Sequence, residues 1–181
     1  MTGRWLIGVG TALGLSGCAT ERAQPQAPCF AADLQPCPAG MNCPTQADCA
    51  AMPACKSDGM CTPSGAACVP GCDSQCQSAK VCGWQGLCKR GTEKCQADSE
   101  LLCRQSDFCK WQGDCRLGKR EGVGVCVPQA DADCKNSDQC LQDGLCSYLD
   151  GHCIAATGQD CAGAVICTQY SHCKADSGTC K

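Results

Sequence analysis

Cysteine is the residue through which this chain can do chemistry. Twenty-five of its 181 residues carry a thiol, a density beyond the mark for a disulfide scaffold. Thiols in such number either pair with one another or hold metal. Zinc sites draw their ligands from C-x2-4-C pairs, and the close pairs here are only Cys68/Cys72 and Cys72/Cys76. Longer gaps run through the rest. Disulfides are therefore expected, with a thiolate metal store as the alternative, and no cofactor or metal is assigned. Setting Cys18 aside leaves 24 cysteines, which can pair completely.

Other reactive side chains are few. His152 and His172 are the only histidines, each preceding a cysteine but at different repeat positions. No nucleophile motif accompanies them, so they read as surface residues and no catalytic residue is assigned. Asp131, Asp133 and Asp138 alternate somewhat like a calcium loop, but Lys135 interrupts them and neither the required glycine nor a closing glutamate is present. They read as a solvated linker. Trp84 and Trp111 share one repeat position within WQG. Exposed, they would form a ligand-binding strip; packed over their own disulfides or the next unit, they would be structural, and Gln142 at the same position favours packing. The segment RLGKREGVGV over 116–125 carries Arg116, Lys119, Arg120 and Glu121. It is expected to be a longer, mobile hairpin loop, and so the candidate recognition element, against the plainer alternative of a neutral insertion.

The elements that position these residues repeat. Cys76, Cys82, Cys88 and Cys95 follow C-x5-C-x5-C-x6-C. Cys134, Cys140, Cys146 and Cys153 repeat it, as do Cys161, Cys167, Cys173 and Cys180, and Cys49, Cys55, Cys61 and Cys68. Cys103, Cys109, Cys115 and Cys126 match apart from four extra residues in the last gap, and seven residues join each quartet to the next. Cys29, Cys37, Cys43 and Cys72 stand outside. Because Cys37, Cys43, Cys49, Cys55 and Cys61 are evenly spaced, residues 29–75 read as one degenerate module. Ser106 and Ser137 can cap a helical turn that Gly113 and Gly144 end in the left-handed conformation. Ser64-Gly65, Asp150-Gly151 and Ser177-Gly178 are hairpin turn signals. The expected fold class is small and disulfide-rich: a tandem array of ~27-residue four-cysteine repeats, each a helical turn plus a short hairpin. Four cysteines allow three pairings. First-to-third with second-to-fourth is the expected one, because it ties the helical turn to both hairpin strands.

The N-terminus has the layout of an export signal. Arg4 precedes an uncharged, mostly apolar run from Trp5 to Leu15, too short to span a bilayer. It closes with Leu15-Ser16-Gly17-Cys18, which resembles the lipobox of bacterial lipoproteins. The resemblance implies that residues 1–17 are removed, that Cys18 is lipidated, and that two or three acyl chains anchor the chain to a membrane; ordinary cleavage after Ala19 is the alternative. Residues 18–28 are small, polar and proline-bearing and read as a tether. After them come the module 29–75, a repeat over 76–102, a repeat with the basic insertion over 103–133, a repeat over 134–160, and a terminal repeat over 161–181.

Composition limits the function. From Cys18 onward only 18 of 164 residues are Leu, Ile, Val or Phe, too few for the core of a conventional enzyme domain. Net charge is −3, so nucleic acid is not an expected partner. The pattern C-x2-S-x2-C-K-x2-G-x-C, carried by Cys103, Ser106, Cys109, Lys110, Gly113 and Cys115, resembles the cysteine-rich repeats of exported lipoproteins in myxobacteria-like lineages. Cys134, Ser137, Cys140, Gly144 and Cys146 match without the lysine. What the resemblance implies is a cell-envelope lipoprotein, here placed in the outer membrane because Ala19 is not a retention aspartate. The expected function is non-enzymatic display of the array for structural or macromolecular-interaction roles, with an extracellular protein or glycan as the expected ligand. The alternatives are protease inhibition through the basic loop, and metal storage.

Overall fold

A computed structural model describes Cys29 and residues 32–181. The signal sequence over 1–17, the lipidation at Cys18 and the tether over 18–28 lie outside the described residues. Five units follow, each two short helices and an antiparallel hairpin. The first holds α1 (Gln46–Ala51), α2 (Pro53–Asp58), β1 (Thr62–Ser64) and β2 (Ala67–Val69). The second holds α3 (Asp73–Ser78), α4 (Lys80–Gln85), β3 (Lys89–Arg90) and β4 (Cys95–Gln96). The third holds α5 (Glu100–Gln105), α6 (Asp107–Gln112), β5 (Arg116–Arg120) and β6 (Val123–Val127). The fourth holds α7 (Asp131–Lys135), α8 (Asp138–Asp143), β7 (Ser147–Leu149) and β8 (His152–Ile154). The fifth holds α9 (Gly158–Ala162), α10 (Val165–Tyr170), β9 (Ala175–Asp176) and β10 (Thr179–Cys180). No helix among the described residues is long and apolar enough to cross a membrane.

The expected local chemistry is present in the third, fourth and fifth units, whereas in the first Ser64 pairs with Ala67 inside the ladder and the turn falls at Gly65-Ala66. Ser106 and Ser137 cap α6 and α8, each hydroxyl accepting from the backbone N–H of the following cysteine, Cys109 or Cys140, at 3.2 Å. Gly113 and Gly144 end those helices in the left-handed region. Asp150-Gly151 and Ser177-Gly178 turn their hairpins with both residues at positive φ, the twist that suits a two-residue turn. The first helix of each unit was not expected. It begins three residues before the first cysteine, within the linker, and in the second and fourth units its opening aspartate reaches the unit's own hairpin. Asp73 Oδ1 accepts from the Arg90 N–H at 2.9 Å and Asp131 Oδ1 from the Tyr148 N–H at 2.8 Å. Helices of five or six residues do not persist alone in water, so these contacts and the disulfides hold them.

Twelve disulfides form, and they consume every cysteine from Cys29 onward. Their pairing corrects the expected one: in all five units the first cysteine joins the fourth and the second joins the third. The reason is the left-handed residue that ends each second helix. It turns the chain back at once, leaving the third cysteine 4.4 to 4.6 Å from the second, Cα to Cα. The hairpin's returning strand then carries the fourth cysteine to the first helix, at 5.4 to 5.6 Å. In the degenerate module Cys29 joins Cys72 and Cys37 joins Cys43. The first cysteines, Cys49, Cys76, Cys103, Cys134 and Cys161, are fully buried and stand in place of a conventional core.

Successive units meet at those buried disulfides. A Cβ built on Gly59, Gly86, Gly113 or Gly144 would lie 2.5 to 3.1 Å from the fourth-cysteine sulfur of the next unit. Leu87, two residues before β3, packs against the apolar clusters of both the second and third units. Leu145 does the same against the fifth. The residue two after each fourth cysteine is also buried: Pro70, Ala97, Pro128 and Ala155. Ala97 and Ala155 each donate their N–H to the next unit's hairpin, at Gly124 O and Gly178 O, both 2.9 Å.

Candidate binding face

The second helices stack in chain order, α2 on α4, α4 on α6, α6 on α8 and α8 on α10. Each presents its outer side to solvent. Trp84 on α4 is 54% exposed and Trp111 on α6 is 43% exposed. Both line one groove of ≈ 450 Å³ with Asp107, Phe108, Lys110 and Asp138. About half of each indole is covered where α4 and α6 meet their neighbours, and the other half faces solvent. Leu141 and Tyr170 continue the exposed apolar series on α8 and α10. The groove's other walls were not anticipated. Asp107 and Asp138 occupy equivalent positions in successive repeats, a signal visible once the quartets are aligned.

The basic insertion lengthens its hairpin, as expected. Residues 116–120 and 123–127 form a continuous ladder, with Arg116 opposite Val127 and Arg120 opposite Val123, so the inserted residues are paired strand. Glu121 and Gly122 turn it at positive φ. Arg116 is committed to structure: its guanidinium bonds Glu100 at 2.9 Å and, across the joint to the fourth unit, Asp133 at 3.1 Å. The two carboxylates hold that guanidinium more firmly protonated than usual. Arg120 donates to Gly151 O at 3.4 Å. Lys119 is exposed on the ladder opposite Gly124. An inhibitory loop needs an unpaired extended stretch, and here the basic residues sit on a paired strand.

The joint between the third and fourth units contains one misfit group. The residue before the third cysteine is Leu87 in the second unit and Leu145 in the fourth, but Asp114 in the third. Partial burial pushes its carboxyl up to about 6, against the opposing pull of Arg120 and His152. With the folded pKa above the ordinary one, the folded chain holds the proton more tightly, so this group's contribution falls as pH rises from about 4 to about 6. Asp114→Leu is expected to stabilise the joint by about 1–2 kcal/mol at pH 7.5, solvent at the open edge reducing the full effect. At pH 4.5 the electrostatic part of the gain should largely fade, leaving the pH-independent packing of the leucine. Thermal unfolding at both pH values measures this; a pH-independent gain, or a loss at pH 7.5, would contradict it.

The remaining candidates are dispersed. His152 and His172 are both exposed, one on β8 and one after α10, where its ring lies 6.4 Å from that of Tyr170. Asp133 accepts from the Gln129 N–H at 3.0 Å as well as from Arg116, so Asp131 and Asp133 serve the hairpin and the joint, while Asp138 lines the groove. Among the described residues no group of three or more His, Cys, Asp or Glu side chains is arranged to hold a metal ion. The disulfides leave no thiolate for a metal store among the described cysteines. No protein-family model, curated protein or solved structure matches the chain.

Proposed function

We propose that this chain is an exported, lipid-anchored, non-enzymatic protein of the cell envelope that displays its array to an extracellular protein or glycan. One observation carries the reading. Twelve disulfides account for 24 of the 25 cysteines, and the cysteine outside them is Cys18, which follows Leu15-Ser16-Gly17 directly. Disulfides in that number belong to an oxidising compartment, and a lipobox cysteine is spent on acylation rather than pairing. The short tether then holds the array off the outer membrane, with the stacked second helices as its display face. Repeat arrays commonly bind macromolecules over such extended surfaces.

Intact mass spectrometry of the protein purified from membranes tests this. The expected mass is that of a chain beginning at an acylated Cys18, with no thiol alkylated before reduction and 24 alkylated after it. A chain beginning elsewhere without acyl groups, or one with many free thiols, would refute the anchored disulfide array.

A further inference from the structure

We propose that the groove between Trp84 and Trp111 binds basic side chains, arginine or lysine, on an extended segment of a partner protein. The proposal rests on the display function above and adds the chemistry of the partner. Three aromatic rings, Trp84, Trp111 and Phe108, line the groove, and indole is the best of the aromatic faces for a cation.

Charge points the same way. Asp107 and Asp138 line the groove against one cation, Lys110. These two aspartates are used differently from others near the helix starts. Asp73, Asp131 and Asp160 each accept hydrogen bonds from backbone N–H groups of their own unit or linker. Asp107 and Asp138 stand where Ser106 and Ser137 already cap the helix, and neither enters an ion pair among the described residues. Their carboxylates are thus available to a cation in the groove. On α4 the register position of Lys110 is taken by Gly83, which faces open space, and Lys80, which replaces the aspartate there, is not among the residues lining the groove. A volume of ≈ 450 Å³ lies within the range of ligand pockets and accommodates a guanidinium or an ammonium with its stem.

The test uses the oxidised full-length protein and fluorescein-labelled hexa-arginine, hexa-lysine and hexa-glutamate, read by anisotropy, with labelled cellohexaose as a neutral probe. Hexa-arginine and hexa-lysine should bind, and hexa-glutamate should not. Exposed cation–π contacts are each worth about a two- to fivefold change in affinity. Trp84→Gln with Trp111→Gln should therefore weaken hexa-arginine binding about tenfold, as should Asp107→Asn with Asp138→Asn. Glutamine is chosen because Gln142 and Gln169 already occupy that repeat position in α8 and α10, so the variants keep a residue the helix accommodates. Failure of hexa-arginine to bind overturns the proposal, as does binding undiminished by the two tryptophan substitutions. A tryptophan-dependent response to cellohexaose without one to hexa-arginine overturns the basic partner while leaving the display function intact.

Discussion

Replacing Cys76 and Cys95 together by alanine should destabilise the second unit by about 3 kcal/mol, against about 2 kcal/mol for Cys82 with Cys88. The first bridge joins residues 19 apart and the second residues 6 apart. In the chain-entropy account, the longer loop restricts the unfolded chain more. Burial adds to the difference. Cys76 and Cys95 are within 2% of full burial and pack with Ala79 and Val81, whereas in the second bridge Cys88 is buried but Cys82 only half-buried. A repeat array opens by units rather than all at once, so amide hydrogen exchange across α3, α4 and β3 is the suitable readout. Equal losses of protection in the two variants would show that the outer bridge is not what organises the unit.

The repeated left-handed glycine should be a highly sensitive backbone position. Gly86 sits at φ +72, and a Cβ there would lie 2.8 Å from Cys126 Sγ and 3.1 Å from both Cys103 Cα and Leu102 O. Gly86→Ala therefore combines about 1–2 kcal/mol of backbone strain with about 1–2 kcal/mol of overpacking against atoms that cannot move aside. Its total is about 3 kcal/mol. Gly122→Ala is the control. It has φ +81 but nothing within 4 Å, so only the backbone cost of about 1 kcal/mol applies. The expected signature of Gly86→Ala is loss of exchange protection in α5, beyond the substituted unit. Matching effects for the two variants would mean that the joints are not close-packed. The fifth unit agrees with this reasoning: its equivalent residue is Ser171, left-handed at φ +63 and exposed, with no following unit of the described chain against it.

What could be read along the chain was whatever neighbouring residues decide among themselves. The cysteine spacing marked five units, Ser106 and Ser137 marked helix starts, and Asp150-Gly151 and Ser177-Gly178 marked turns, because caps and tight turns are satisfied within a few residues. The first helix of each unit escaped notice because its start lies in a linker and its stability comes from a distant hairpin, as Asp131 with Tyr148 shows. Disulfide pairing was likewise undecided by spacing. It depends on where the hairpin returns, and only the turn after the second helix, in three dimensions, brings the second and third cysteines together. The same holds for the candidate face. Trp84 and Trp111 are a repeat apart in sequence, and stacking of α4 on α6 makes them neighbours. Asp107 and Asp138 become walls of one groove for the same reason. Arg116, read along the chain as part of a recognition loop, is tied down because the fourth unit brings Asp133 to it, and burial in the folded chain raises the pKa of Asp114. Local geometry was determined by the sequence itself, and exposure, pairing and electrostatic setting were decided by the stacking of one unit on the next.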